Sequence, residues 1–488
     1  MTAVPEIRIR DANFRPVRRD GRLVLYWMTA NRRPDWNFTL DRAIEWARQL
    51  RRPLVVLEHL PCGNRWDTDR SHRFVLQGMA DNAAAFKPTP VTYYPYAERS
   101  PGDGEALVAA LAAEACIVVA DDFPCSGYPQ MLARTAAKLP VLVEAVDSNG
   151  LLPLRAADRV FTTAHAFRRV LQRTLRDHLG QRPRAHPLAR LSLPLLRSLP
   201  SQVTTRWPRV SPNLLRADRV AMAELPIDHG VPAGLLNGGQ RAARRRLKAF
   251  VAKRLARYHQ DRNHPDLDAT SGLSPYLHFG HISSHEVVAA VLNSEGWSPD
   301  RLGRTAAGSR TGWWGVGESA EAFLDQVVTW REVGYNMAWQ REDYDRYESL
   351  PAWAAKTLDD HARDRREHIY ALREFEQAGT HDTLWNAAQR QLVREGRLHN
   401  YLRMLWGKKI LEWTRSPQEA LEVMVELNNK YALDGCDPNS YSGLFWVLGR
   451  YDRAWGPERP VFGKVRFMSS ANTRRKVRLA KYLERYSP

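Results

Sequence analysis

The sequence predicts an α/β doubly wound parallel-sheet domain at the N-terminus, a long connector, and an all-α domain at the C-terminus. Three observations carry this reading. Up to residue 165, short apolar runs alternate with amphipathic stretches of helical period. Residues 181–232 hold eight prolines and scattered arginines with no sustained period. From residue 241 onward strand patterns nearly vanish and 3.6-residue periodicity takes over. The expected boundaries are 1–175 for the α/β domain, 176–240 for the linker and 241–488 for the helical domain.

Each element follows from its own residues. RLVLYWM (22–28) and PLVVLEHL (53–60) are continuously apolar, as strands buried on both faces must be. Between them, Leu40, Ile44, Ala47 and Leu50 fall at helical spacing, and Phe74, Leu76, Met79, Ala83 and Phe86 do so over 69–86. VTYYPYA, an Ala-rich helix over 104–115, CIVVADD, a helix near 128–138, and PVLVEAVD complete the alternation. MTANRRPDW follows the first strand where a dinucleotide site would carry GxGxxG, and no P-loop occurs anywhere. In the second half, helices are expected over 240–259, 283–293, 320–337, 384–394, 398–413 and 417–430. Ser416–Pro417 is a helix start, with Ser at the N-cap and Pro at the first helical position, and Asp434–Gly435 is a stop.

The 488 residues carry 72 Lys and Arg against 54 Asp and Glu, a net charge of +18, which points to a polyanion such as nucleic acid. The charge is local. Residues 101–150 carry two basic and seven acidic side chains, residues 151–200 ten and two, residues 451–485 ten and three. An Arg-rich composition is the plainer explanation, since 61 of the 72 basic residues are Arg. Apolar runs such as 115–120 fall far short of the roughly 18 residues of a membrane span, and no apolar leader opens the chain. Four widely spaced cysteines without a CxxC pair fit a reducing cytoplasm. A cytoplasmic monomer with no obligate protein partner is the expectation.

The helical half holds 11 of the 16 tryptophans. Trp406 and Trp413 lie seven residues apart, so both indoles leave one helix face, and a helical hairpin brings Trp385 back to it. Aromatic core filling and redox or stacking chemistry both account for this. Thr270, Ser271 and Ser274 precede an apolar helix, either as ordinary caps or as a phosphate-binding start. His278, His281 and His285 have ligand-like spacing, but no HEXXH or completing carboxylate is present, so no metal is assigned.

LSPYLHFGHIS, WNAAQRQLVREGRLHNYLRMLWGKKILEWTRSPQEAL, LNNKYALDGCDPNSYSGLFWVLG and ERPVFGKVRFM together resemble the class II cyclobutane pyrimidine dimer photolyases of the photolyase/cryptochrome family. The likeness is close over 272–468 and continues more weakly through YWM and EAVDSNGLLPL in the first half. It implies an antenna-type α/β domain and a helical FAD-binding domain, with reduced FADH⁻ as the active form. A deazaflavin- or folate-type antenna chromophore belongs to the same pattern. Thr270, Ser271, Leu273 and Ser274 match the segment contacting the flavin phosphates, with Tyr258 and Arg262–Asn263 approaching it. Arg403 and Asp434 match an ion pair beside the isoalloxazine, Asn428 the Asn near flavin N5, and Asp437 shares the DGCDP turn. Trp385, Trp406 and Trp413 match electron-transfer tryptophans. Trp330, Met404 and Trp446 match substrate-pocket residues, and Arg453 and Arg466 match residues holding UV-damaged duplex DNA.

Two departures accompany the resemblance. Gln326 stands four residues before Trp330, where the family usually has a substrate-facing Glu. A carboxyl group can share a proton with a pyrimidine carbonyl as the dimer gains an electron; an amide donates a hydrogen bond but transfers no proton readily. The stretch 449–455 is also one residue shorter than the family pattern. Light-driven dimer repair is the leading expectation. Its alternatives are (6-4) photoproduct repair, given Gln326, and blue-light sensing without repair.

Overall fold

The computed structural model describes residues 4–488, in two compact units. The first comprises the chain through Ala157 together with Thr174–Lys248 and Gly272–Ala290. The second comprises Asp158–Arg173, Ala249–Ser271 and Val291–Pro488.

The first unit is built on six strands: β1 (Ile9–Asp11), β2 (Leu23–Met28), β3 (Leu54–Leu60), β4 (Thr92–Ala97), β5 (Ala115–Asp121) and β6 (Val143–Val146), in the order β1-β6-β5-β2-β3-β4. All neighbours are parallel except β1, which pairs antiparallel with β6 at the edge. Every residue of β2 is buried because both faces are covered. Val24, Tyr26 and Met28 face α1 (Phe38–Leu50) through Leu40, Ile44 and Ala47. Leu23, Leu25 and Trp27 face α2 (Asp103–Ala112) and α3 (Tyr128–Ala136) through Leu107, Leu111 and Leu132. The alternating βα pattern in the sequence is therefore a doubly wound sheet, as expected.

The segment expected as a linker, 176–240, does more than cross the surface. Leu199, Val203 and Trp207 complete the core over β2 and β5, and the Tyr94 hydroxyl donates to the Trp207 carbonyl at 2.6 Å. Val210, Leu214, Met222 and Leu225 cover the helix Asp69–Phe86 at Val75, Leu76 and Met79. Val203, Leu214 and Met222 lie in helices of four to six residues and the others in the turns beside them, all too short to show a period between prolines. Residues 174–248 and 272–290 thus belong with the sheet, and 158–173 with the helical unit.

The second unit is helical. Its principal elements are α4 (Glu318–Leu324), α5 (Arg331–Gln340), α6 (Thr383–Glu395), α7 (Asn400–Trp413), α8 (Pro417–Tyr431) and α9 (Pro438–Val447). Ser416 caps α8 by accepting the Glu419 N–H at 3.1 Å, as its sequence position predicts. α7 packs against α6, α8 and α9. Gly407 permits the approach to α9: a Cβ there would lie 2.5 Å from Val447 Cγ2. The helix expected over 320–337 is interrupted, since Asp325–Trp330 winds as a π-helix between α4 and α5.

Candidate active site

The tryptophans are placed by helix starts and helix repeat. Asp382 caps α6, accepting the N–H groups of Leu384 and Trp385 at 2.9 and 3.1 Å, which fixes Trp385 in the first turn. Trp406 and Trp413 follow two turns apart on α7. The Trp385 ring lies 6.5 Å from Trp406, with planes 4° apart, and 6.0 Å from Trp413. Trp385 Nε1 donates to the Trp406 carbonyl at 3.0 Å, and Trp406 Nε1 donates to Gln389 Oε1 at 2.9 Å. All three are at most 2% exposed. They are core residues and a continuous series of contacting, oxidisable rings at once.

One turn before Trp406 on α7, Arg403 donates to Asn428 Oδ1 at 3.0 Å and to Asp434 Oδ1 at 3.1 Å. Asn428 is buried on α8 and donates to Asn429 Oδ1 and Ser440 Oγ at 3.0 and 2.9 Å. The turn carrying Asp434 folds tightly onto α8, where a Cβ on Gly435 would sit 2.9 Å from Asn429 Cα. Asp437 closes the turn: it caps α9 through the Asn439 N–H at 2.8 Å and accepts the Tyr335 hydroxyl at 3.2 Å. A guanidinium, an amide and a carboxylate thus converge one turn of α7 from Trp406. This donor and acceptor set suits the polar edge of a planar heteroaromatic ring.

The 270–274 segment crosses the division between units. In the second unit, Arg254 Nη1 donates to the Thr270 carbonyl at 3.3 Å, and Ser271 is half-buried. Tyr258 is buried edge-on to Phe250 and Phe323 with the Arg262 guanidinium over its ring at 5.5 Å. In the first unit, Leu273 is buried and Ser274 opens the helix Ser274–His278, which no side chain caps. Gly272 has φ +62°, and a Cβ there would run into the Arg246 guanidinium. An open helix start beside a cation fits a phosphate group. Arg246 was not singled out from the sequence, because it is one of several arginines in RAARRRLK.

Gln326 and Trp330 both lie on the π-helix, a geometry that recurs at functional sites because the extra residue re-aims side chains. Gln326 is half-buried and its amide makes no hydrogen bond within the described residues. The Trp330 ring is 5.1 Å from Trp446, tilted by 32°. Trp330 Nε1 donates to Asp325 Oδ2 at 3.1 Å, and Asp325 is gripped by Arg168 at 2.8 and 3.2 Å. Asp325 and Arg168 are further residues the sequence did not reveal, since 157 positions separate them. Met404 is half-buried on α7. Further along, the Arg453 and Arg466 guanidiniums cover the Trp455 ring at 4.4 and 4.2 Å, and Asp452 pairs with Arg466 at 3.2 Å.

No protein-family model matches the chain. Among curated proteins it is 32% identical over 480 residues to a deoxyribodipyrimidine photo-lyase of Methanothermobacter thermautotrophicus, covering 98% of this chain and 97% of that one. It is 33% identical to the protein of the same name from Oryza sativa subsp. japonica, covering 95% and 87%. This chain belongs to the deoxyribodipyrimidine photo-lyase family. The fold agrees: a class III photolyase from Agrobacterium tumefaciens superposes with a TM-score of 0.68 at 17% identity, covering 96% of this chain and 86% of that one.

In this photolyase the crevice after β2 is closed to a nucleotide phosphate. Asp121 Oδ2 accepts the consecutive backbone N–H groups of Thr29, Ala30 and Asn31 at 2.9, 2.8 and 2.9 Å, so the protein's own carboxylate fills the anion nest. The three histidines with ligand-like spacing are occupied in packing. His281 accepts the Gly239 N–H at 3.0 Å and stacks on Phe74, His285 meets Phe38 edge-on, and His278 packs on Phe279. No cluster of three metal-ligating side chains occurs among the described residues. No helix among them is long and apolar enough to cross a membrane.

Proposed function

We propose that this photolyase repairs cyclobutane pyrimidine dimers in duplex DNA by light-driven electron transfer, with FAD held in the helical unit, in the manner of class II enzymes. The observation that carries the reading is the convergence of Arg403, Asn428 and Asp434 one helical turn from Trp406, the first ring of the tryptophan series. Bound in reduced form, FAD supplies the light-absorbing, one-electron donor. The residues supply position and electrostatics. Arg403 and Asp434 brace the ring's polar edge, Asn428, whose amide hydrogens are already given to Asn429 and Ser440, offers its Oδ1 as an acceptor at the ring's centre, and Thr270 and Ser271 serve the phosphates. Trp330 and Trp446 form aromatic walls for an extruded pyrimidine pair. Flipping costs a few kcal/mol, offset in part by roughly 1–3 kcal/mol for each stacked base. Gln326 donates an N–H to a pyrimidine carbonyl as the dimer takes up the electron. The two cyclobutane C–C bonds then split and the electron returns, so no net oxidation or reduction remains. Arg453 and Arg466 hold phosphates beside the lesion.

The reading is tested by reducing the purified protein, adding UV-damaged oligothymidine, illuminating, and following the return of thymine absorbance. No return with fully reduced FAD bound defeats it. Gln326 favours one second reading, repair of the (6-4) photoproduct, and an oligonucleotide carrying that lesion in a parallel sample separates the two.

A further inference from the structure

The ring series does not stop at Trp413. The Tyr370 ring lies 5.7 Å from Trp413, nearly perpendicular at 76°, and the Tyr370 N–H donates to the Trp413 carbonyl at 3.1 Å. Trp413 is 2% exposed, whereas Tyr370 is half-buried, so Tyr370 is the ring through which the series reaches solvent. Its hydroxyl lies 2.6 Å from His381 Nδ1 and also accepts the His381 backbone N–H at 3.1 Å. The exposed His381 imidazole packs on Trp413 at 4.9 Å and on His368 at 3.9 Å.

The groups acting on His381 come from three elements: Glu367 and His368 from the segment before Tyr370, Asp382 from its own turn, and Lys409 from α7. Partial burial, then the neighbouring His368, hold it below the ordinary histidine range despite Asp382 and Glu367. At neutral pH the ring is uncharged, and Nδ1 serves as an acceptor when the proton sits on Nε2.

We propose that Tyr370 is the terminal electron donor of the tryptophan series and that His381 receives its proton. The step rests on the flavin reading above, with a photoexcited, oxidised flavin as the ultimate oxidant. Once an electron has been drawn through Trp406 and Trp385, Trp413 is left as a radical cation. One electron passes from Tyr370 to Trp413 while the phenolic proton crosses the existing hydrogen bond from Oη to Nδ1. The products are a neutral Trp413, a neutral Tyr370 phenoxyl radical and an imidazolium at His381, so charge and electrons balance. Oxidation without proton loss would leave a phenol radical cation, a far stronger acid than the imidazolium. The exposed imidazolium then releases its proton to water.

The test uses the full chain loaded with oxidised FAD, under blue light, with transient absorption and electron paramagnetic resonance as readouts. The wild type should give a tryptophan radical that decays into a neutral tyrosyl radical. Tyr370→Phe should abolish the tyrosyl signal and leave the tryptophan radical. His381→Gln should abolish or strongly reduce it, because Gln keeps a hydrogen-bond acceptor without accepting a proton. In the wild type the yield should fall as pH drops through the His381 titration. In the dark, ¹⁵N resonances of His381 should report the Nε2–H tautomer and lose that bias in Tyr370→Phe. A tyrosyl signal that is missing in the wild type or survives either substitution overturns the proposal. If a tryptophan radical forms without the tyrosyl, only this inference falls; if neither forms, the flavin reading falls with it.

Discussion

Trp385 and Trp406 stand with ring planes 4° apart and centroids at 6.5 Å, locked by the bond from the Trp385 indole N–H to the Trp406 carbonyl. Trp385 is the hinge of the series, since its ring pairs with both Trp406 and Trp413. Trp406→Phe should block photoreduction of oxidised FAD while leaving repair by chemically reduced enzyme intact. Trp385→Phe should do the same and cost about 1 kcal/mol of stability through the lost hydrogen bond. Flavin absorbance under light and repair after chemical reduction are the two measurements; photoreduction that survives both substitutions reveals another electron route.

Gln326 sits half-buried on the π-helix with no hydrogen-bond partner for its amide among the described residues. Gln326→Glu should raise the quantum yield of dimer repair, because a carboxyl group can share its proton with the reduced pyrimidine. An unchanged or lower yield removes the carboxyl argument.

Asp325 links Trp330 to the scaffold, accepting from the Trp330 indole and from Arg168, whose side chain is 4% exposed. Asp325→Ala strands that guanidinium and should cost about 3–5 kcal/mol in thermal or denaturant unfolding, the usual penalty for breaking a buried pair. Asp325→Asn, which keeps an acceptor for Trp330, should cost less and weaken lesion binding less. Equal losses in the two variants would mean that the carboxylate charge, and not the orientation of Trp330, sets affinity.

The sheet and the long helices were legible because their signals are local: continuous apolar runs in β2, β3 and β5, and helical period with a Ser-Pro start in α8. The tryptophan grouping was legible from the seven-residue repeat. What stayed hidden depends on distant partners or small backbone changes. Arg168 meets Asp325 across the chain, Arg246 meets Gly272 only after folding, and the π-turn at Asp325–Trp330 has no pattern distinct from an α-helix. Trp207 and its neighbours read as linker because burial in short turns between prolines leaves no period.

Arg453 and Arg466 are braced by stacking on Trp455 and stay partly in water. Each should neutralise about one phosphate. Arg453→Ala and Arg466→Ala should each weaken binding of damaged duplex and reduce the slope of log affinity against log salt by roughly 1. Fluorescence anisotropy across a salt series checks this; an unchanged slope would mean that the arginine does not touch the backbone. Arg466→Ala also frees Asp452, so its loss of affinity should exceed that of Arg453→Ala.

Lys408 is buried on α7 and donates to the Val447 carbonyl at 2.5 Å, at the end of the helix that carries Trp446. Burial pushes its ammonium down from 10.5 to about 7, with Asp452 opposing and Arg466 adding to the shift. The unfolded chain therefore binds the extra proton between pH 7 and 10.5. Stability must rise with pH across that window, by at most roughly 1.4 kcal/mol per unit from this group. Lys408→Met removes the dependence at the expense of about 1 kcal/mol for the lost hydrogen bond. The variant should thus compare best with the wild type near pH 7 and progressively worse toward pH 9 in denaturant unfolding. Parallel stability curves over that range would mean that Lys408 keeps an ordinary ammonium and that water reaches it beside Val447.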